Sequence, residues 1–144
     1  AWRQLGNLIR ILQEHASDFG MQVALLPLRR GAADLMNHLS EAALISAMLR
    51  LDRVGVAASS YNMALEAESL PALNRCGSLL WHVRTSNALG NRLCAPGDAE
   101  NYAALFETLH AMDYAGRISC EGSCKDFAED AKQALICLKN AAQK

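Results

Sequence analysis

Four side chains with acid–base or charged chemistry lie on or beside apolar strands in the second half of the chain. The segment 79–97 (LLWHVRTSNALGNRLCAPG) places His82 and Arg84 on an apolar strand, and Arg92 lies in the loop that follows. Glu121 ends a later apolar run. An imidazole or a carboxylate can move a proton, and a guanidinium binds carboxylates through a planar fork. These residues predict a polar site that the strands must position.

The hydrophobic pattern alternates between helices and short apolar strands. It predicts helices over 1–19, 32–51, 98–112 and 125–140, a short helix or turn over 68–76, and strands over 21–28, 53–59, 79–84 and 117–121. Gly20 is the expected C-cap of the first helix, and Asp98 the expected N-cap of the third, with Glu100 in its first turn. Strands that alternate with helices form parallel βα units. The predicted class is α/β, and periodicity alone leaves a small doubly wound sheet and part of a barrel as alternatives.

Composition excludes several classes of protein. The chain has 144 residues, of which 51% are hydrophobic and 20% charged, as expected for one globular domain. Its net charge is −1 with acidic and basic residues interspersed, so we expect no nucleic-acid or membrane-surface binding. No stretch approaches the roughly 20 apolar residues that span a bilayer, and the N-terminus resembles an amphipathic helix more than a signal peptide. We therefore expect a cytoplasmic protein.

Cysteine usage argues against a disulfide framework. The five cysteines are an odd number without a CxxC pair, so neither structural disulfides nor a zinc knuckle is expected. Most are expected to be buried, reduced thiols. Cys120 and Cys124, near the end of the last strand, are candidates for metal or redox chemistry, although packing alone also explains small residues there.

Four motifs occur in order along the chain. They are Leu26-Pro27-Leu28-Arg29-Arg30, Val54-Gly55-Val56 with Ser59-Ser60-Tyr61-Asn62-Met63, His82-Val83-Arg84, and Tyr114-Ala115-Gly116-Arg117-Ile118-Ser119-Cys120-Glu121. Their order and spacing resemble the C-terminal half of the sugar phosphate isomerase/epimerase family, the xylose-isomerase-like TIM barrels. There the motifs are Glu-Pro-Leu-Asn-Arg, a strand ending in Asp before Tyr-His-Met, His-x-His, and a last strand ending in Glu. The resemblance implies that residues 1–144 form one (βα)4-type half-barrel preceded by a helix.

The family's metal site is the part of the resemblance that this chain does not preserve. Family members hold one divalent cation with a Glu, an Asp, a His and a Glu; the metal polarises a sugar carbonyl or hydroxyl while carboxylates move a proton. The corresponding positions here are Leu26, Ser59, Arg84 and Glu121, of which only Glu121 keeps the family's ligand. We therefore predict no cofactor for this chain alone, and a divalent metal only if a partner completes the site.

The remaining site residues follow from the same resemblance. Glu121 and His82 are the implied catalytic residues, and Arg92, Arg84 and Asn62 the implied substrate-binding residues, Asn62 replacing a substrate-side histidine. An interior histidine satisfied by hydrogen bonds is the alternative interpretation of His82.

Strand alternation predicts how the charged groups meet. Leu80, His82 and Arg84 are expected on one face of their strand, and Ser119 and Glu121 on one face of the next. Arg84 and Glu121 are then expected to form an ion pair in the barrel mouth, with the guanidinium replacing the lost metal charge. The alternative is that Arg84 extends into water.

The chain length leaves a half-barrel incomplete. A TIM barrel takes about 250 residues and eight strands, whereas four strands are predicted here. A second copy, another chain or an N-terminal half would have to cover the strand edges and interior, unless the chain collapses into a flavodoxin-like sheet. The initial helix without a preceding strand, and the first residue Ala1, favour a fragment or processed product. We expect a homodimer or association with a complementary N-terminal half.

Three functional hypotheses follow. The first is a degenerate isomerase/epimerase-like domain that serves as a non-catalytic binding or structural unit. The second is an active sugar isomerase or epimerase completed by a partner half. The third is a module that binds a sugar phosphate or another small anion through Arg84 and Arg92, with Arg29 nearby.

Overall fold

The computed structural model describes residues 1–98 and 100–143. The strands are β1 (Val23–Leu25), β2 (Val54–Ser59), β3 (Leu80–Thr85) and β4 (Arg117–Cys120). The α-helices are α1 (Trp2–Asp18), α2 (Leu39–Leu49), α3 (Ser60–Leu65), α4 (Tyr102–Ala111) and α5 (Phe127–Ala142), and two 3-10 helices cover Leu70–Arg75 and Gly77–Leu79. The strands form one parallel sheet in the order β1-β2-β3-β4, so the predicted α/β class and parallel βα arrangement are confirmed.

One face of the sheet carries the core. Val54, Val56 and Ala58 alternate along β2 and belong to the main buried cluster together with residues of the helices. All six residues of β2 are buried: β1 and β3 flank the strand, helices cover the core face, and the Trp81 ring lies against Gly55 on the other face. The other residues of β2, including Ala57 and Ser59, face the opposite side, which we call the inner face.

A register shift between β2 and β3 overturns one prediction. Val56 pairs with Leu80, whereas the next residue, Ala57, pairs with His82. Trp81 is therefore an extra residue in β3, and Leu80 joins the core cluster instead of sharing a face with His82. The indole of Trp81 lies over Gly55, where any Cβ would clash with the ring.

Several predicted boundaries were wrong because loops are longer than the apolar pattern indicated. The predicted strand 21–28 is a strand only over Val23–Leu25, and the predicted helix 32–51 begins at Leu39. Glu41 accepts hydrogen bonds from the backbone N–H of His38 (3.0 Å) and Asn37 (2.8 Å), which fixes the start of α2. Helix α3 was not predicted.

Helix α4 begins later than predicted. Asn101 is its N-cap and accepts a hydrogen bond from the N–H of Ala104 at 3.0 Å. Asp98 is not the N-cap, because its carboxylate is engaged within the preceding loop. Residues 70–75 form a short helix within the predicted 68–76.

Helix α1 is amphipathic as predicted, but its apolar side is only partly covered. Ile9 is 1% exposed, whereas Leu8 is 51% and Leu12 46% exposed. The residue after its C-cap, Gly20, has a φ of 67°, a left-handed conformation that glycine adopts without strain. In the described residues, no helix is both long and apolar enough to cross a membrane.

Candidate functional site

Three polar side chains meet where the central strands end on the inner face. The guanidinium of Arg84 forms an ion pair with the carboxylate of Glu121, and the Ser59 hydroxyl donates a hydrogen bond to Glu121 Oε1 at 3.4 Å. The register brings them together: Ser59 pairs with Arg84 between β2 and β3, and the N–H of Glu121 donates to Thr85 O at 2.9 Å. The structure therefore contains the ion pair expected from strand alternation. The Arg84 side chain remains 38% exposed, so it also reaches solvent at the rim.

His82 lies one step deeper on the same face. Its Nε2 is 2.8 Å from Ser119 Oγ, so one ring nitrogen has a partner on β4. Burial, followed by the nearby charges of Arg84 and Arg117, lowers the pKa of His82 below its ordinary 6.5. The imidazole is therefore neutral near pH 7 and available as a hydrogen-bonding group.

The loop after β1 is tied to the inner face through Asn62. Its side-chain oxygen accepts a hydrogen bond from the N–H of Arg29 at 3.2 Å. Its own backbone N–H donates to Oγ of Ser59, the N-cap of α3, at 3.5 Å. Leu26 comes directly after the last residue of β1 and is half-buried. The ends of all four strands thus lie at one edge of the sheet, and Ser59, Arg84 and Glu121 are brought into contact there.

Arg92 is held by a carboxylate that the sequence analysis assigned to a different role. Its guanidinium pairs with Asp98, whose side chain is only 3% exposed. Asp98 also accepts hydrogen bonds from the N–H of Ala95 at 2.9 Å and the hydroxyl of Tyr102 at 2.8 Å. Burial acts to raise the pKa of Asp98, but the hydrogen bonds from Ala95, Arg92 and Tyr102 outweigh it and lower that pKa below 3.8.

A second carboxylate organises the same loop. Glu100 accepts hydrogen bonds from the side-chain amide of Asn87 and from the N–H of Ala88, both at 2.7 Å. Asn87 is almost completely buried and also pairs with Arg92 through the backbone. The sequence did not predict these contacts, and its signal for them was an Asp and a Glu soon after the Pro96-Gly97 turn.

The loop after β1 has its own buried carboxylate. The Glu66 side chain, 5% exposed, accepts a hydrogen bond from the N–H of Arg30 at 2.6 Å and pairs with its guanidinium at 3.2 Å. His38 Nε2 lies 3.9 Å from the same carboxylate. Glu66 therefore attaches this loop to α3, the helix that follows β2.

The residues at the mouth do not fit a divalent cation. Leu26 has no donor atom, the Ser59 hydroxyl already donates to Glu121, and Arg84 brings a positive charge against the only carboxylate of the set. Within residues 1–98 and 100–143, no three His, Cys, Asp or Glu side chains are grouped closely enough to hold a metal ion.

The cysteines lie in different environments. Cys76 and Cys94 are buried, Cys120 and Cys137 are half-buried, Cys124 is exposed, and all five are free. The N–H of Cys94 donates to Cys120 Sγ at 3.4 Å. The interaction between the two neighbouring side chains lowers the pKa of Cys120 and raises that of Cys94.

Known proteins share this fold and part of the sequence. The model of the xylose isomerase-like TIM barrel family matches residues 1–141. The chain is 31% identical over 134 residues to 3-dehydro-D-guloside 4-epimerase of Escherichia coli K12, a match that covers 92% of this chain and 49% of that protein. The apo crystal structure of 3-keto-D-glucoside 4-epimerase from Escherichia coli is similar with a TM-score of 0.86 at 26% identity, covering 96% of this chain and 53% of the other. The structure of L-ribulose 3-epimerase is similar in fold, with a TM-score of 0.85 at 17% identity, covering 99% of this chain and 55% of the other.

These matches establish the class of the protein as an α/β chain with the architecture of half a TIM barrel. The chain belongs to the xylose isomerase-like TIM barrel family. It spans about half the length of the relatives it matches. The expected family and the half-barrel fold are therefore confirmed.

Proposed function

We propose that this chain is half of a carbohydrate-binding barrel that does not by itself carry out the metal-dependent chemistry expected from the family. The observation that carries the proposal is the Arg84–Glu121 ion pair at the strand ends. The resemblance assigns both positions to metal ligands. A guanidinium keeps its charge and its geometry suits a carboxylate, so Arg84 supplies the positive charge beside Glu121 without a cation.

A metal ion would have to compete with this arrangement. Binding at Glu121 would require breaking its contacts with Arg84 and Ser59 and would place the cation beside a guanidinium. A single carboxylate and one hydroxyl are also too few ligands for a tightly bound Mg²⁺ or transition metal. The donor set thus supports binding of a ligand by hydrogen bonds.

The charge balance at the mouth favours a neutral ligand. Glu121 neutralises Arg84, and Asp98 neutralises Arg92, so neither guanidinium offers a free positive charge for an anion. Arg84 keeps N–H groups on its exposed side, and the neutral His82 imidazole lies on the same face. Both can bind the carbonyl or hydroxyl groups of a sugar. Since two relatives are named for 3-dehydro and 3-keto sugars, we propose a neutral 3-keto glycoside as the ligand.

The rest of the binding site has to come from another half-barrel. The inner face of this chain forms one wall only, and β1 and β4 are edge strands of the sheet. The relatives contain about twice the length of chain. We propose that a complementary N-terminal half covers the inner face, and that a second copy covers it less completely when that half is absent.

Calorimetric titration of a 3-keto-glucoside into the folded protein, with and without its complementary half, tests the ligand class. We expect Glu121→Gln to weaken binding about tenfold, a loss of about 1.4 kcal/mol, because the amide no longer holds Arg84 by charge. The matched control is Glu107→Gln on the exposed side of α4, which should bind like the original protein.

Two further probes test the alternatives. Inorganic phosphate that binds more tightly than the keto-sugar, and loses affinity in Arg84→Gln, would contradict the neutral-ligand proposal and support the anion module. Stoichiometric Mn²⁺ that survives dialysis and is lost in Glu121→Gln would contradict the absence of a metal site.

An active epimerase completed by a partner half is the second candidate, favoured by the 31% identity to an epimerase. Glu121 would then move the proton, His82 would bind the sugar carbonyl, and Arg92 and Asn62 would contact the substrate. Incorporation of solvent deuterium into a 3-keto-glucoside, measured after mixing with the N-terminal half of the Escherichia coli relative, tests this role. Exchange that disappears in Glu121→Gln supports the enzyme; binding without exchange supports the non-catalytic proposal.

A further inference from the structure

Two cysteines are neighbours behind the mouth, in the smaller of the two core clusters. Cys94 is completely buried and follows Arg92 by two residues, and Cys120 is the last residue of β4. The backbone N–H of Cys94 donates a hydrogen bond to Cys120 Sγ at 3.4 Å. Both belong to the smaller core cluster, with Leu93, Tyr102 and α5 around them.

We propose that Cys94 and Cys120 form a reversible disulfide when the protein meets a hydroperoxide, which makes the pair a redox modification site. The inference is independent of the proposed ligand. It assigns a covalent link between the loop that carries Arg92 and the strand that precedes Glu121.

The backbone around the pair is already in place for such a link. The N–H of Leu93 donates to Ser123 O at 3.2 Å, and Arg92 forms a parallel bridge with Ser123. The loop therefore runs beside the end of β4. Because Cys120 Sγ already accepts a hydrogen bond from the Cys94 N–H at 3.4 Å, closing the bond requires rotation and approach of two neighbouring side chains whose backbones are held side by side.

The chemistry balances with a hydroperoxide as the only co-reactant. The half-buried Cys120 attacks one oxygen of hydrogen peroxide, and its sulfenic acid forms as water leaves. The sulfur of Cys94 then attacks the sulfenic sulfur, forming the S–S bond and releasing a second water. In sum, two thiols lose two electrons and two protons, and one peroxide is reduced to two waters. Cys120 is half-buried and so partly accessible to a small oxidant, and a cavity of about 530 Å³ lined by Cys94 and Cys124 lies on the Cys94 side of the pair.

The other cysteines provide internal controls. Cys124 is exposed on the same cavity, Cys137 packs in the same cluster from α5, and Cys76 lies in the main core. Within residues 1–98 and 100–143, Cys120 Sγ forms a hydrogen bond with Cys94 and with none of these three cysteines. The contacts therefore assign the partner of Cys120.

The test is oxidation of the folded protein with hydrogen peroxide, followed by alkylation, thiol counting and non-reducing peptide mapping. We expect the free thiols to fall from five to three, a single Cys94–Cys120 cross-linked peptide, and full reversal by dithiothreitol. Cys124→Ser should lose two thiols in the same way, whereas Cys120→Ser should lose none.

Because replacing the fully buried Cys94 can unfold the chain, the peptide map of the unaltered protein and the half-buried Cys120→Ser variant carry the test. Limited proteolysis supplies a second readout: cleavage within 86–98 should be slower in the oxidised protein. A cross-link to Cys124 or Cys137, or five remaining thiols in a folded protein after oxidant treatment, would overturn the proposal.

Discussion

The mouth of the half-barrel and its N-terminal edge differ in one respect: the charged groups at the mouth are paired, whereas the apolar side chains at the edge are not fully buried. At the mouth, the buried or half-buried carboxylates of Glu121, Asp98 and Glu66 each have an arginine partner. At the edge formed by α1 and β1, apolar side chains lie open to solvent. They include Leu8, Leu12, Phe19 and Met21, with Phe19 77% exposed.

The contrast indicates that the polar site at the mouth is complete in its own ion pairs, whereas the apolar edge is not completely buried by the fold. The carboxylates at the mouth find their partners within this chain, as buried charges must. The apolar surface at the edge has no such cover from residues 1–98 and 100–143, and it lies beside β1, an edge strand of the sheet. Under the proposed function, this half contributes a preformed wall of the site, and the apolar edge is the surface that a complementary half would bury.

The strongest test of the edge compares neighbouring residues on α1. Ile9→Ala should lower the free energy of unfolding by about 2–5 kcal/mol, because Ile9 is 1% exposed in the main core. Leu8→Ala should change it by less than about 0.5 kcal/mol, since Leu8 is 51% exposed. Urea denaturation of both variants measures the difference. Equal losses of unfolding free energy in the two variants at low protein concentration would show that Leu8 is buried in solution. The edge would then not differ from the rest of the fold.

Self-association is the next expected effect. Covering a leucine side chain is worth about 1.5–3 kcal/mol, so the exposed edge should drive association of the isolated chain. Light scattering should show a mass that rises with concentration, and the double variant Leu8→Gln, Leu12→Gln should shift this rise to at least about tenfold higher concentration.

The control for association is Leu135→Gln, which alters an exposed leucine on α5 at the opposite end of the chain. It should leave the association of the original protein unchanged. A monomer of constant mass at all concentrations would show that the edge needs no cover, and the complementary-half proposal would lose its main physical argument.

The sequence was sufficient for the order of the four strands and the four longer helices, though not for α3, and for contacts that depend on strand alternation. Arg84 and Glu121 meet as predicted because both sit at fixed positions on neighbouring parallel strands. Alternation failed at Leu80, since the extra residue Trp81 shifts the register and local hydrophobicity does not reveal such a shift. The helix expected from residue 32 begins at Leu39 because hydrogen bonds to Glu41 and Glu68 fix its start.

The loop contacts could not be predicted by periodicity. Asp98 has the position and residue type of a helix N-cap, and that is the local interpretation of the sequence. In the folded chain its carboxylate turns back to Arg92, Ala95 and Tyr102, so the helix begins later. This outcome depends on how the loop closes over β4, which is a tertiary effect.

Asp98 is the most informative carboxylate to remove from the mouth. Asp98→Asn should lower the free energy of unfolding by about 1–3 kcal/mol, because it weakens several hydrogen bonds to a buried group. The folded-state pKa lies below 3.8, so this contribution is present above the unfolded pKa and is lost as pH falls through the folded pKa. As the pH is lowered through this range, the free energy of unfolding should therefore fall less in Asp98→Asn than in the original protein. Asp52→Asn, at an exposed position, is the control; an equal effect there would contradict the role of the Asp98 network.

The smallest expected effect is on the titration of His82, and it reports the charge balance of the inner face. Burial first, then Arg84 and Arg117, lower the His82 pKa below 6.5. The unfolded chain therefore takes up the proton more readily, and stability from the neutral imidazole is complete above pH 6.5 and declines as pH falls towards the folded pKa.

Arg117→Gln should raise the His82 pKa measured by NMR, but only modestly because Arg117 is exposed to solvent and its charge is screened. Arg75→Gln, on an exposed turn of the 3-10 helix before β3, should leave it unchanged. A His82 pKa above 6.5 in the original protein would show that Glu121 or a partner half outweighs the two arginines, and the inner face would then be more acidic than the charges of this half indicate.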